Sequence, residues 1–192
     1  MQWKMRDIVL TAVFSAICGA VYLGWDLLFK ALPPMVNPVA QATFNGLWWI
    51  AAALIPFIVR RPGAALLAEA IGGFMEFALG SPYGVQAFTI GLAQGVAVEV
   101  GFLLGGYRRY NLPWLMLASA MGGIGCFIYS YFYYGVNAYS AANQLGYLIV
   151  SMLSGAVLAG LLSWLLGRGL LRTGVLANFA AGREATLSET AL

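Results

Sequence analysis

Two carboxylates stand out in the apolar stretch between residues 64 and 84. Glu69 and Glu76 are seven residues apart, so a helix would project both from nearly the same face. An ionised side chain at the centre of a bilayer costs about 2.5–3.5 kcal/mol, whereas one Leu or Phe contributes only about 0.3–0.6 kcal/mol. A lipid-embedded chain that keeps both acids is therefore expected to use at least one of them.

The composition predicts an integral membrane protein. The 192 residues are 61% hydrophobic and 9% charged, whereas a typical soluble domain is about 25% charged. The net charge of +3 comes without a basic patch, so no nucleic-acid partner is expected. Histidine is absent, and Cys18 and Cys126 lie in apolar runs as buried thiols. Lys occurs only at positions 4 and 30, which excludes the common lysine-containing phosphate loop. We expect no metal, no cofactor and no ATP site of that kind.

Six apolar segments follow one another along the chain. Backbone polar groups in lipid must be satisfied within the segment, so each is predicted to be a helix. A proline-rich loop is expected at 33–38 and a basic turn at 60–63. The fold class is therefore an all-α, six-transmembrane-helix bundle over residues 1–172, and the polar tail 173–192 is expected to be partly disordered. The predicted spans are 8–29, 39–59, 64–79, 85–106, 112–134 and 143–166.

The basic residues predict the topology of this bundle. With six spans and a cytoplasmic N-terminus, nine of the ten Lys and Arg residues lie inside and only Lys30 lies outside. Five or seven spans would scatter the basic pairs over both faces. Both termini and the tail are therefore predicted to be cytoplasmic. The nine are Lys4, Arg6, Arg60, Arg61, Arg108, Arg109, Arg168, Arg172 and Arg183.

The predicted outer ends of the helices concentrate aromatic, amide and acidic side chains. Aromatic faces stack on planar rings and attract cations, and a carboxylate pairs with positive charge or accepts hydrogen bonds from an amino group. A pocket for a small aromatic or cationic solute is predicted there, although aromatic belts also occur at membrane interfaces without any ligand. The predicted substrate-binding residues are Glu76, Trp48, Trp49, Tyr83, Gln86, Gln94, Tyr133, Asn143 and Tyr147.

The remaining acids leave alternatives open. Glu69 and Glu99 fit either protonated, hydrogen-bonded contacts between helices or a proton relay, and Asp26 is expected to reach the interface toward Lys30. A stand-alone proton-coupled transporter or channel is the alternative function. No catalytic residues are predicted, because no His can activate a serine and Asp26 is the only intramembrane aspartate.

Several stretches resemble a known family, the substrate-binding S component of energy-coupling factor (ECF) vitamin transporters. Small residues spaced by four in the first helix, Ala12, Ala16 and Ala20, match the family's scaffold-contacting face. Residues 6–13, 22–26 and 72–84 are similar to the YkoE type within that family.

The resemblance implies a function and partners. The chain would be a multi-pass protein of the bacterial inner (plasma) membrane, surrounded by lipid, that binds thiamine or its hydroxymethylpyrimidine (HMP) precursor from outside. It would dock through Ala12, Ala16 and Ala20 on an EcfT-like transmembrane scaffold, and two cytoplasmic ATPase subunits or one fused ATPase would drive release inward. Glu76 would be the main polar anchor. Thiamine-binding members of another branch use a His, which this sequence lacks.

Overall fold

The computed structural model describes residues 2–31 and 38–189. In that part of the chain every regular element is helical. Short 3-10 helices lie at Asn45–Trp49 and Val136–Ala138, and a π-helical segment, Gly155–Leu161, joins two α-helices without a break. The α-helices are α1 (Met5–Ala31), α2 (Pro38–Ala42), α3 (Ile50–Val59), α4 (Ala64–Ala78), α5 (Val85–Leu104), α6 (Leu112–Tyr133), α7 (Ala141–Ser154), α8 (Leu162–Arg172) and α9 (Ala180–Glu189). Most of the loop predicted at 33–38 lies outside the described residues.

Within residues 2–31 and 38–189, four helical stretches are long and apolar enough to cross a membrane. They are Met5–Ala31, Val85–Leu104, Leu112–Tyr133 and Ala141–Arg172. The apolar stretch Asn45–Val59 is shorter, and α4 has 15 residues. The structure therefore supports an all-α membrane protein, while the six crossings and the sides of the two termini stay predictions.

The predicted helix over 39–59 is divided into three pieces. Around Gly46 the backbone leaves the regular helical ladder and is satisfied by one serine from the end of α7. Ser154 Oγ accepts a hydrogen bond from the Gly46 N–H (2.9 Å) and donates one to the Thr43 carbonyl (2.7 Å). A Cβ at Gly46 would lie 2.3 Å from the Ser154 carbonyl oxygen, so only glycine allows this approach. The break is sustained by a residue far away in the sequence, which the local pattern does not reveal.

Helix α3 is the centre of the bundle. Each of its ten residues is buried, and it packs against α1, α4, α8 and α9. Helices α1 and α4 cross closely beside it, since a Cβ at Gly19 would lie 2.4 Å from the Gly72 carbonyl oxygen. This crossing brings Asp26, two turns beyond Gly19, toward Glu76, one turn beyond Gly72.

The tail differs from the expectation of partial disorder. After α8 the chain turns back, and α9 packs against α3 and α8. Leu176 and Ala181 are buried, and Glu184 forms an ion pair with Arg60. Apolar burial and this ion pair order a segment whose composition alone looks polar. Residues 190–192 lie outside the described part, and the cytoplasmic location of the tail stays a prediction.

Candidate functional site

A cavity of about 260 Å³ opens at one end of the bundle. It lies where α1, α4 and α6 end and where α5 and α7 begin, with the 3-10 helix Asn45–Trp49 on one side. Five of the nine predicted substrate-binding residues line it: Glu76, Trp48, Tyr83, Gln94 and Tyr147. The other lining residues are Phe29, Gln41, Asn45, Ala87, Ile90, Cys126, Ser130, Tyr134, Val136 and Tyr139.

The four other predicted residues do not line this cavity. Trp49 is wholly buried in the core, where its Nε1–H donates to the Ser119 carbonyl at 2.9 Å. Tyr133 is 65% exposed and stacks on Tyr129 with ring centroids 4.6 Å apart. Gln86 is half-buried in the first turn of α5, and Asn143 is exposed in the first turn of α7.

In two of these cases, the adjacent aromatic residue in the sequence lines the cavity instead of the predicted one. Trp48 lines the cavity where Trp49 does not, and Tyr134 lines it where Tyr133 does not. Successive residues point about 100° apart on an α-helix and about 120° apart on a 3-10 helix, and the chain leaves α6 after Tyr133, so neighbouring aromatic residues face different surroundings. The composition of a helix end shows that aromatic residues are present, but the packing selects which of them face the cavity.

An acidic corner forms one wall of the cavity. Asp26 Oδ1 accepts a hydrogen bond from Trp48 Nε1–H at 2.7 Å, and Asp26 Oδ2 accepts one from Ser81 Oγ–H at 2.5 Å. Ser81 Oγ also lies 3.4 Å from Glu76 Oε1. The expectation that Asp26 reaches the interface toward Lys30 is wrong. Asp26 is wholly buried, because the α1–α4 crossing encloses it against Trp48 and the turn after α4.

The turn after α4 places a tyrosine over this corner. Burial raises the pKa of Tyr83, and the nearby acidic groups of Asp26 and Glu76 raise it further. The phenol therefore stays protonated near neutral pH and can donate a hydrogen bond. Lys30 Nζ lies 5.1 Å from the centroid of the Tyr83 ring, on its face. The mouth of the cavity thus combines a cation–π contact with two carboxyl groups.

Aromatic rings support the wall formed by α1 and the 3-10 helix. Phe29 and Trp48 meet edge to face with centroids 5.4 Å apart. Trp25 and Phe44 pack behind them, with their centroids 5.8 Å apart. Such edge-to-face packing holds each ring in a defined orientation. The two lining rings can therefore present a rigid apolar surface to a flat heterocycle.

A polar network lies on the opposite side of the cavity. The Asn45 side-chain amide donates to Tyr147 Oη at 3.1 Å and to Ser151 Oγ at 2.9 Å. Ser130 Oγ lies 3.3 Å from the same phenol, and Cys126 Sγ is 3.6 Å from the Asn45 amide nitrogen. Cys126 is buried as predicted, but it borders polar groups and the cavity as well as apolar neighbours.

Glu69 and Glu99 both form hydrogen bonds between helices and do not line the cavity. Glu69 Oε2 accepts from Tyr22 Oη at 3.1 Å and from the Ala52 N–H at 3.2 Å. Glu99, at the other end of the bundle, accepts from the backbone at the start of α4, with distances of 2.6 Å to Gly63 N and 2.8 Å to Ala65 N. The alternative in which Glu69 and Glu99 form hydrogen bonds between helices is therefore confirmed for both residues.

Asp26 and Ser81 are the functional candidates that sequence reasoning missed. Asp26 carried a usable signal, since it stands in an apolar run and an acid there is as costly as Glu76. Ser81 carried none, because a serine in a Gly–Ser–Pro turn is ordinary turn chemistry. Its role follows only from the position of the turn beneath α1.

The predicted scaffold-docking residues lie on one side of α1. Ala12 and Ala16 are half-buried and Ala20 is exposed. Large apolar side chains are exposed on the same helix, among them Val13 (51%) and Ile17 (56%). Helix α1 therefore presents an apolar surface outward over much of its length.

The fold and the cavity define a membrane-embedded, small-molecule-binding helical protein. The family described as ABC-type cobalt transport system, permease component, matches residues 6–125. A Bacillus subtilis (strain 168) protein named as an HMP/thiamine permease, YkoE, is 38% identical over 183 residues, which are 95% of this chain and 92% of that protein. A crystal structure of an S component of an ECF transporter superposes with a TM-score of 0.94 at 36% identity, covering 98% of this chain and 96% of that one.

The chain therefore belongs to the S-component family of ECF transporters, in the group that includes YkoE. It is a substrate-binding transport subunit and not an enzyme. The resemblance identified from the sequence is confirmed.

Proposed function

We propose that this chain captures thiamine or HMP in the cavity bounded by Glu76, Trp48 and Tyr83, for ATP-driven uptake. The observation that carries the proposal is the acidic corner beside aromatic rings. The printed name of the Bacillus subtilis relative supports the ligand class.

The lining suits the chemistry of thiamine. Its thiazolium ring carries a permanent positive charge, and its aminopyrimidine ring is flat and offers hydrogen-bond donors and acceptors. The Glu76 carboxylate supplies the opposite charge, and the rings of Phe29 and Trp48 supply stacking surfaces. The side-chain amides of Gln41 and Gln94 can pair with the ring nitrogens and the amino group.

The family description that matches this chain names cobalt, and a cobalt site requires several converging nitrogen, sulfur or oxygen ligands. The sequence has no His, and within residues 2–31 and 38–189 no three His, Cys, Asp or Glu residues converge as a metal site would require. The aromatic rings and amides that line the cavity favour an organic ligand.

The positions of the basic residues indicate the side of the membrane on which the cavity opens. The basic pairs at 60–61 and 108–109 lie before α4 and after α5, at the ends of these helices that are remote from the cavity. The positive-inside rule supports a cytoplasmic location for that end, and we therefore include an outward-facing cavity in the proposal. The proposal includes six crossings, both termini inside, and the bacterial plasma membrane as the location.

The partners are part of the same proposal. The chain lacks the lysine-containing phosphate loop, so the ATPases belong to other chains. An EcfT-like scaffold would contact α1 along Ala12, Ala16 and Ala20. Small residues at this spacing let two helices approach closely in a membrane. Two ATPase subunits, or one fused ATPase, would bind the scaffold from the cytoplasm.

The test is calorimetric titration of the purified chain in detergent with thiamine, HMP and cobalt chloride in turn. Saturable binding of thiamine or HMP, with no saturable heat from cobalt, is the expected result. Saturable cobalt binding together with no response to either organic ligand would overturn the proposal. Reconstitution of this chain alone into liposomes tests the alternative, since a proton-coupled transporter would accumulate ligand under a pH gradient without partners.

A further inference from the structure

The acidic corner contains more carboxyl groups than a single cation requires. Glu76 lines the cavity, and Ser81 Oγ lies 3.4 Å from Glu76 Oε1 and 2.5 Å from Asp26 Oδ2, so one hydroxyl group bridges the two carboxyl groups. The hydroxyl has one proton and cannot donate to both, and two negative charges this close repel each other in a buried site. The corner is therefore arranged as a carboxyl pair that can hold one proton between its two members.

The hydrogen bonds assign the proton to the residue that faces the cavity. Asp26 already accepts from Trp48 Nε1–H on one oxygen and from Ser81 Oγ–H on the other, so both of its carboxyl oxygens are engaged as acceptors. A serine hydroxyl has one proton to donate. With that proton directed at Asp26 at 2.5 Å, little of it is available for the 3.4 Å contact of Ser81 Oγ with Glu76 Oε1. A proton carried by Glu76 would complete this contact, so Glu76 is the better site for the shared proton.

We propose that the Asp26–Glu76 pair exchanges its shared proton for a ligand cation. The proposal rests on the proposed function, because thiamine supplies the cation. When thiamine binds beside Glu76, the proton leaves to solvent and the pair becomes doubly ionised, with one of its two charges balanced by the thiazolium ring. HMP carries no permanent charge and binds without this release. Asp26 is a positioning residue in this exchange, because it acts through Glu76.

The other groups around the pair do not account for such an exchange. Glu69 is wholly buried on α4 and bound by Tyr22, and Lys30 lies on the ring of Tyr83. Lys, Tyr and Cys side chains ordinarily titrate above neutral pH. The remaining neighbours from the 3-10 helix and α5 do not titrate. The nearby phenols and thiol are Tyr83 on the turn after α4, Cys126 and Tyr129 on α6, Tyr134 after α6, and Tyr147 on α7. The neighbours that do not titrate are Asn45, Trp48 and Gln94.

The experiment measures protons released on binding. Thiamine and HMP are titrated by calorimetry in buffers that differ in ionisation enthalpy. About one proton should be released per thiamine near neutral pH and about none per HMP. Thiamine affinity should rise with pH by up to about tenfold per unit until the pair is ionised, since protons compete with the cation.

Asp26→Asn is the decisive variant. Without the second acid, the like charge beside Glu76 is removed, so both the proton release and the pH dependence of the affinity should fall below those of the unmodified chain. Asp7→Asn is the matched control, because Asp7 pairs with Arg61 at the other end of the bundle. Its proton release should equal that of the unmodified chain.

Infrared spectroscopy gives a readout that needs no ligand and does not depend on Asp26→Asn. A protonated carboxyl band should be present in the unmodified chain at neutral pH and should be lost in Glu76→Gln. The inference is overturned if this band is missing. It is also overturned if thiamine binds without releasing a proton, and in that case the proposed function still holds. If neither vitamin binds, the proposed function fails, and the infrared band alone decides for or against the proton on the pair.

Discussion

The two ends of the bundle use carboxylates in different ways. At the basic end, Glu99 accepts three backbone N–H groups from the start of α4 and a hydroxyl group from Tyr107 (2.8 Å). Asp7 pairs there with Arg61, with 3.1 Å between Oδ2 and Nε. At the cavity end, Asp26 accepts hydrogen bonds from the neutral donors Trp48 and Ser81, and Glu76 lies against the same serine.

The difference separates acids that stabilise the fold from acids that are available to a ligand. The free N–H groups at a helix start carry partial positive charge, so they balance part of the negative charge of the Glu99 carboxylate within the protein. Burial and the bond to Glu99 raise the pKa of Tyr107 to about 12, which keeps the phenol a donor. No described cation forms an ion pair with Glu76, so a positive charge delivered by a ligand has an unmatched partner there.

Replacing the acid that faces the cavity is expected to have the largest effect on binding. Glu76→Gln removes the negative charge that would pair with the cation while preserving the size of the side chain. Thiamine affinity should fall by about 100-fold, the range for losing one partner of a buried charge pair. Titration calorimetry measures it, and unchanged affinity would exclude Glu76 as the anchor. Tyr133→Phe is the control, because Tyr133 does not line the cavity, and its thiamine affinity should equal that of the unmodified chain.

A smaller loss is expected from Trp48→Phe. The change keeps an aromatic ring on the cavity wall but removes the Nε1–H that holds Asp26. One hydrogen bond to a charged group contributes about 1.5–3 kcal/mol, and part of that should reach the ligand as a roughly fivefold loss of affinity. Trp164→Phe on α8 is the matched control. Equal losses in the two variants would indicate a general effect of removing tryptophan.

Glu99→Gln is expected to lower the stability of the protein while leaving thiamine binding nearly unchanged. The amide keeps one acceptor but loses the charge that complements the start of α4, so the free energy of unfolding should fall by about 1–2 kcal/mol. Thiamine affinity should change by less than about twofold, because the residue is remote from the cavity. Thermal unfolding in detergent and calorimetry measure the two quantities. A large loss of affinity without a loss of stability would contradict the division between the two ends.

The smallest effect on binding is expected for Ala16→Leu, between the two ends. The larger side chain should leave thiamine affinity unchanged but obstruct close approach of a scaffold helix. Co-purification of the chain with its scaffold and ATPase subunits measures assembly. Ala78→Leu, at the exposed end of α4, is the control. An intact complex with Ala16→Leu would show that docking uses another surface.

Local patterns were sufficient for the helical architecture and for part of the cavity. Continuous apolar runs predicted helices at α1, α4, α5 and α6, because lipid allows few other ways to satisfy the backbone. Glu76, Gln94 and Tyr83 were recognisable because polar groups near the outer ends of apolar segments are costly without a use. The break near Gly46 was not recognisable, since it depends on Ser154.

The sequence by itself determined that the chain enters a membrane, that it is helical, and that its charges gather at one end while its aromatic and amide residues gather at the other. Composition and apolar length are properties of the chain alone, so they need no knowledge of packing. Only the tertiary structure decided that Trp48 rather than Trp49 faces the cavity and that Asp26 stands behind Glu76. Both depend on the rotation of helices and on the close crossing at Gly19, which arise when distant segments pack together.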